Sequence, residues 1–177
     1  VDPRNSSIMW AGTPGGGLWK SENGGENWVP KTDGKASLGV SAIIFHPFNP
    51  DIMYIGTGDG DGSDTFSIGV WQSTDGGETW KPTGLQWATN QQRTIRALVI
   101  SPKDPLRIYC GANDGIYYTA NGGQSWSKVL NSNTAVSDIE IRPDNPEILY
   151  ACTNGAIHRS KNGGLNWQTA KTVQDAG

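Results

Sequence analysis

The chain has 177 residues, a formal net charge of −3 and 18% charged residues. This length suits one domain with a real core, and the lack of excess Lys and Arg excludes the basic surface that a nucleic-acid partner requires. No apolar run approaches the length of a membrane span, so no such span is expected. The 24 Gly and 10 Pro indicate many short strands joined by tight turns.

One eight-residue pattern, [Ser/Thr]-x-[Asp/Asn]-Gly-Gly-x-x-Trp, occurs four times, and we call each copy a box. The Asp or Asn is expected to accept hydrogen bonds from backbone N–H groups one or two residues on, and the hydroxyl to do so more weakly. The glycines permit positive φ, and the Trp anchors the turn by burying its ring. We interpret the boxes as structural turns. Their defining residues are Ser21, Asn23, Gly24, Gly25, Trp28; Ser73, Asp75, Gly76, Gly77, Trp80; Thr119, Asn121, Gly122, Gly123, Trp126; Ser160, Asn162, Gly163, Gly164 and Trp167.

A second recurring segment, which we call the proline turn, precedes each box. Its copies are Asp2–Trp10, His46–Tyr54, Ser101–Tyr109 and Arg142–Tyr150. Apolar stretches before and after the full copies predict four short antiparallel strands per repeat, which is the content of a β-propeller blade. The predicted fold is therefore all-β, with a partial blade at 1–32 and blades at 38–84, 93–131 and 134–170.

The first repeat lacks its opening strand. We therefore expect consecutive blades of a larger ring, with further blades of the same or a partner chain on both sides, rather than a ring closed by four blades.

The box resembles the Asp-box repeat of bacterial neuraminidases. The longer pattern of Pro-x-x-Pro, then Tyr54-Ile55-Gly56-Thr57, then the box resembles the sortilin-type propellers, the xyloglucanase-like glycosidases and related secreted or surface proteins of Bacteroidetes-type bacteria. The resemblance implies a propeller in a secreted or cell-surface protein. It leaves activity open, because enzymes, receptors and assembly factors share the repeat.

Blade geometry places the proline turns and boxes at one edge of each sheet and the remaining loops at the other. One of those loops, residues 58–67, carries Asp59, Asp61 and Asp64 between glycines. Its oxygens suit a bound Ca²⁺, although the spacing is not that of a calcium hand. The alternatives are a solvated loop whose Asp side chains cap their own turns, or one carboxylate of a glycosidase pair.

The second unusual loop, residues 84–93, places Trp87 among Asn90, Gln91 and Arg93. A flat ring surrounded by amide donors is typical of a sugar platform or a protein contact, so these four residues are the candidate ligand-binding set. The alternative is that Trp87 packs onto a neighbouring blade. The equivalent loop of the first repeat is 15–17, and no helix follows it as a phosphate site requires.

Other chemistry is sparse in the sequence. His46 and His158 have no partner at metal-ligand spacing and are interpreted as structural. Sialidases use an arginine cluster and an Arg-Ile-Pro motif that this chain lacks. The catalytic Asp motifs associated with xyloglucanase-like enzymes are not recognisable. Cys110 and Cys152 are predicted to be buried free thiols on opposite faces of equivalent strands.

The function predicted from these features is a non-catalytic propeller segment that binds a polysaccharide or protein partner. The alternatives are a segment of a xyloglucanase-like glycoside hydrolase, or a sortilin-like factor for peptide binding or assembly. No cofactor other than Ca²⁺ is expected.

Overall fold

The computed structural model describes residues 1–34, 39–60 and 64–172. Residues 171 and 172 are described without their side chains. It contains one three-stranded and three four-stranded antiparallel sheets, in which each strand pairs with the next along the chain. The predicted all-β fold of repeated four-stranded blades is confirmed. The chain divides into two compact units, Val1–Ile95 and Arg96–Gly177.

The strands follow the apolar stretches of the sequence. In the first unit they are β1 (Met9–Thr13), β2 (Gly17–Ser21), β3 (Val29–Pro30), β4 (Val40–Phe45), β5 (Met53–Thr57), β6 (Gly69–Ser73) and β7 (Lys81–Gln86). After these come β8 (Ile95–Ile100), β9 (Ile108–Ala112), β10 (Gly115–Thr119), β11 (Ser127–Asn131), β12 (Val136–Ile141), β13 (Leu149–Thr153), β14 (Ala156–Ser160) and β15 (Gln168–Thr172). Within the described residues, no helix is long and apolar enough to cross a membrane.

Each unit has its own core. Strands β5 and β9 are buried along their whole length, as expected for strands covered on both faces. The core of the first unit consists of Leu18, Val40, Met53, Ile55 and Trp80. The core of the second consists of Ala97, Tyr109, Ile116, Val136, Ile139, Leu149 and Ala151.

Both cysteines are free, but they differ in exposure. Cys110 is buried in β9, and burial raises the pKa of its thiol. Cys152 is exposed, so the prediction of two buried thiols is wrong at that residue. The reason is that β13 alternates between buried and exposed positions, and Cys152 falls on an exposed one.

The second box shows how the pattern closes its turn. The Ser73 hydroxyl donates to the Asp75 carboxylate (2.8 Å) and accepts the N–H of Gly77 (2.9 Å). The carboxylate also accepts the backbone N–H of Thr79 (2.9 Å), and the Trp80 indole N–H donates to the Gly77 carbonyl (3.0 Å). The same four bonds recur in the other three boxes.

This geometry corrects two details expected from the sequence. The carboxylate or amide oxygen accepts the N–H four residues on, rather than only the one or two residues that follow. The hydroxyl is the centre of the turn rather than a weak supplement, because it is buried and bonds in two directions. Hydrogen bonds stabilise the charged form of Asp75 and lower its pKa to about 2. The largest contribution comes from the Thr79 hydroxyl, followed by the Thr79 backbone N–H and the Ser73 hydroxyl.

The boxes and proline turns lie at the same edge of each sheet, as the blade geometry predicts. In every repeat the N–H of the first box glycine donates to a carbonyl of the proline turn. The four pairs are Gly24 to Ser7, Gly76 to Asp51, Gly122 to Leu106 and Gly163 to Glu147. We call this the box edge, and the opposite edge the loop edge.

Candidate functional site

The two unusual loops meet at the loop edge of the second sheet, in the first unit. The N–H of Ser67 donates to the Arg93 carbonyl (2.7 Å), and the N–H of Trp87 donates to the Ile68 carbonyl (3.2 Å). These main-chain bonds tie the end of the acidic loop to Trp87 and to Arg93, the last residue of the Trp87 loop. The structure therefore brings together the two segments that the sequence selected separately.

The acidic loop holds Asp59 in a structural arrangement. Asp59 is only 8% exposed; its N–H donates to the Thr65 carbonyl (2.8 Å), and its carboxylate accepts the N–H of Asp64 (3.3 Å). This is an Asp side chain that caps its own turn, as the solvated-loop alternative expects. Asp64 is exposed, and Asp61 lies outside the described residues.

No group of three or more His, Cys, Asp or Glu side chains that could hold a metal ion is found in 1–34, 39–60 and 64–172. Ca²⁺ binding at Asp59, Asp61 and Asp64 therefore stays a prediction from the sequence. The same holds for a catalytic carboxylate in this loop.

The Trp87 loop has a defined conformation. A short 3-10 helix spans Thr89–Gln91, and the Gln91 side chain accepts the N–H of Ala88 (2.8 Å). Asn90 and Gln91 are exposed, whereas Trp87 and Arg93 are half-buried. The partial burial of Trp87 is compatible with either interpretation of this residue, and its role in ligand binding stays a prediction.

The loop of the first repeat also contributes to this edge, which sequence reasoning missed. The Thr65 hydroxyl donates to the Pro14 carbonyl (3.0 Å), and the Trp19 indole N–H donates to the Gly16 carbonyl (2.8 Å). The signal available was the equivalence of residues 15–17 to the acidic loop in the repeat alignment.

The repeated sheets and boxes define a β-propeller protein of the BNR-repeat type. The chain belongs to the family described as photosynthesis system II assembly factor YCF48, whose sequence pattern matches residues 63–177.

Among curated relatives, a xyloglucanase of Paenibacillus sp. is 31% identical over 146 residues, which cover 74% of this chain and 14% of the relative. The chain thus spans about a seventh of that protein. An ancestral GH74 enzyme superposes with a TM-score of 0.81 at 22% identity, covering 99% of this chain and 24% of the enzyme. The GH74 enzyme of Niastella koreensis superposes with a TM-score of 0.75 at 19% identity, covering 97% of this chain and 29% of the enzyme. At these identities the two solved structures show the shared fold alone.

Proposed function

We propose that the chain is a substrate-contacting part of a glycoside hydrolase of the xyloglucanase type, and that its loop edge binds a polysaccharide. The observation that carries the proposal is the Trp87 loop, which main-chain bonds to residues 67 and 68 hold in place. The similarity to the Paenibacillus xyloglucanase supports the choice of substrate class. A secreted or surface location follows from the proposal, because a polysaccharide of this kind lies outside the cell.

The chemistry of the loop suits a sugar chain. A glucan presents flat C–H faces that pack on an aromatic ring, and hydroxyl groups at its rim that bond to amides. Trp87 supplies a partly exposed aromatic residue, while Asn90 and Gln91 supply exposed amides in the same loop. Because the loop is already held in one conformation, little conformational entropy is lost on binding.

In this proposal the chain binds the polysaccharide, and the catalytic acid and base of the hydrolase are not assigned to its residues. A glycosidase needs two carboxylates on either side of the scissile bond. Asp59 is buried and bonded within its own turn, which fits a structural role better than proton transfer. The proposal thus combines the two interpretations: this part of the protein binds the polysaccharide without catalysing the reaction, and the whole protein is a hydrolase.

Binding of a xyloglucan oligosaccharide by calorimetry tests the proposal. Trp87→Ala is expected to weaken binding about tenfold, on the order of 1.4 kcal/mol, because it removes the ring and leaves the scaffold. Phe48→Ala is the matched control, since Phe48 is an exposed aromatic residue at the box edge. Equal binding by wild type and Trp87→Ala would contradict the proposal.

A protein partner is the second candidate, favoured by the family's description as an assembly factor. The same surface would then contact protein through Trp87 and Arg93. Absence of measurable oligosaccharide binding by the wild-type chain would favour this candidate over the first.

A further inference from the structure

A polar cleft lies at the hairpin of β2 and β3 in the first unit. Its volume is about 300 Å³. Such a volume is at the lower end of the range for sites that hold small molecules, so the cleft has room for one small ligand. Its lining consists of Lys20, Glu22, Asn23, Asn27, Val29 and Lys31.

Contacts with the second box show which face of the first sheet carries the cleft. Lys20 lies directly opposite Val29 in the β2–β3 pairing, so the two residues share a face. The Lys20 ammonium contacts the Glu78 carboxylate of the second box (3.2 Å), and the Lys31 ammonium contacts the same carboxylate (2.7 Å). The cleft is therefore on the face that the second sheet already covers in part, rather than on the opposite face of the first sheet.

The second unit has different residues at the equivalent hairpin. In the repeat alignment, the three charged residues of the cleft correspond to Tyr118, Ala120 and Val129 of the third sheet. Tyr118 and Val129 pack against the core of the second unit. The fold thus accepts apolar side chains at these positions, so the charged lining of the cleft is not a requirement of the hairpin.

The first box leaves two amides of the cleft available to a ligand. The Asn23 side-chain oxygen accepts the Ser21 hydroxyl (3.0 Å) and the backbone N–H of Asn27 (3.0 Å). The side-chain NH₂ of Asn23 and the whole side-chain amide of Asn27 have no hydrogen-bond partner among the described residues. Glu22, whose side chain is 72% exposed, has one carboxylate oxygen 2.9 Å from the Lys20 ammonium. Donors and acceptors therefore line the same cleft.

This mixture of groups favours a neutral ligand with hydroxyl groups. A sugar hydroxyl both donates and accepts hydrogen bonds, whereas a phosphate or carboxylate ion only accepts them. The hydrogen bond from Lys20 lowers the pKa of Glu22, so an anion in the cleft would meet an ionised carboxylate. Val29 is 56% exposed and offers an apolar surface to the C–H groups of a sugar ring.

We propose that this cleft is a binding site for one residue of a neutral saccharide. The amides of Asn23 and Asn27 donate to its hydroxyl groups, and the Glu22 carboxylate accepts from one of them. The cleft lies beside the first box, whereas Trp87 lies at the loop edge. It is thus a separate site, and it does not depend on the function proposed for the Trp87 loop.

NMR titration of the 177-residue chain with D-glucose, D-galactose, D-mannose and D-xylose tests the proposal. At least one sugar is expected to shift the side-chain signals of Asn23, Asn27 and Val29, with a Kd on the order of 1 mM. Asn27→Ala is expected to weaken this binding about fivefold, because it removes one hydrogen-bonding amide. The variant is expected to fold, since the box uses only the backbone N–H of Asn27.

Asn166→Ala is the matched control for this variant. Asn166 has the same position in the fourth box, and its backbone N–H donates to Asn162 (3.0 Å) in the same way. Saccharide binding is expected to be unchanged in Asn166→Ala and in Trp87→Ala. A failure of this site is therefore distinguishable from a failure of the loop edge. Circular dichroism establishes that each variant is folded.

Inorganic phosphate separates the two classes of ligand. Phosphate is expected to leave the signals of the cleft unchanged. Glu22→Gln is expected to retain saccharide binding, because its amide oxygen still accepts a hydrogen bond. The proposal would be overturned if none of the four sugars shifted these signals up to about 100 mM. Equal binding by wild type and Asn27→Ala, or shifts with phosphate in place of the sugars, would overturn it as well.

Discussion

Two adjacent sheets in each unit meet where an aromatic ring lies against the second glycine of a box, and we call this contact a joint. The two joints use the same geometry and different chemistry. In the first unit the Trp10 ring on Gly77 is accompanied by an ion pair between Lys20 and Glu78. In the second, the Tyr109 ring on Gly164 is accompanied by a buried hydrogen bond to the Gly163 carbonyl. Trp10 makes no such bond: its indole N–H is buried without an acceptor among the described residues.

The comparison separates what a joint requires from what it can vary. Both joints require a residue without a Cβ atom, because the ring occupies that volume. The polar contact beside the ring differs between them and is therefore an added contribution to stability. The first box glycine has a positive φ and donates its N–H to the proline turn, whereas the second has a positive φ and also receives the ring.

Gly77→Ala and Gly164→Ala are expected to have the largest effect on stability. Both glycines have positive φ (+84° and +78°), which costs an alanine about 1–2 kcal/mol. The added Cβ also displaces the ring, which costs about 1–3 kcal/mol. Urea unfolding followed by tryptophan fluorescence is expected to show a loss of about 3 kcal/mol in each case.

Gly25→Ala is the matched control for this prediction. Gly25 has the same place in its box and a similar φ of +95°, but a Cβ atom there makes only ordinary contacts. A loss of about 1 kcal/mol is expected. If Gly25→Ala cost as much as the other two, backbone strain alone would explain the glycines and the ring contact would not matter.

The strands and turns were predictable because their causes are local. Gly69–Ser73, for example, begins at a glycine and ends at a box, and each of these signals lies within a few residues. The contact of Trp10 with Gly77 was not predictable in the same way. The ring comes from the preceding repeat, and no local pattern links two residues so far apart in the sequence.

The candidate site was predictable in its location and less so in its detail. Blade geometry correctly placed the Asp59 and Trp87 loops at one edge. Whether Asp59 faces solvent or caps its turn depends on how the loop folds back at Thr65, and its sequence of glycines permits either. The half-buried state of Trp87 likewise depends on how its loop packs, which its sequence does not determine.

Tyr109→Phe is expected to have the next largest effect, because it removes the second joint's buried hydrogen bond and retains the ring. A loss of about 1 kcal/mol is expected in urea unfolding. Burial, with a further contribution from Tyr118, raises the pKa of Tyr109. The stabilising contribution of the neutral Tyr109 hydroxyl is thus fully present below the ordinary tyrosine pKa of about 10 and is lost as the pH rises above that value.

The pH dependence gives this prediction its control. Wild type is expected to lose stability as the pH rises above about 10, and Tyr109→Phe to lose less over the same range. Identical pH profiles for the two proteins would show that the Tyr109 hydroxyl does not contribute as described.

Glu78→Gln is expected to have the smallest effect. Lys20 and Lys31 both contact the Glu78 carboxylate, at 3.2 and 2.7 Å, and the hydrogen bond from Lys31 lowers the pKa of Glu78 despite partial burial. The carboxylate is half exposed, so solvent screening limits the loss to less than about 1 kcal/mol. This contribution is present above the ordinary glutamate pKa of about 4.3 and is lost as the pH falls below it.

Salt tests whether the ion pair is what distinguishes the first joint. Raising the salt concentration is expected to reduce the difference in unfolding free energy between wild type and Glu78→Gln, because mobile ions screen a half-exposed pair. Leu165→Gln, at the corresponding position of the second joint, introduces no change in charge and is expected to show no such dependence. A salt-independent difference for Glu78→Gln would mean that Glu78 acts through packing, and that the two joints differ less than their residues indicate.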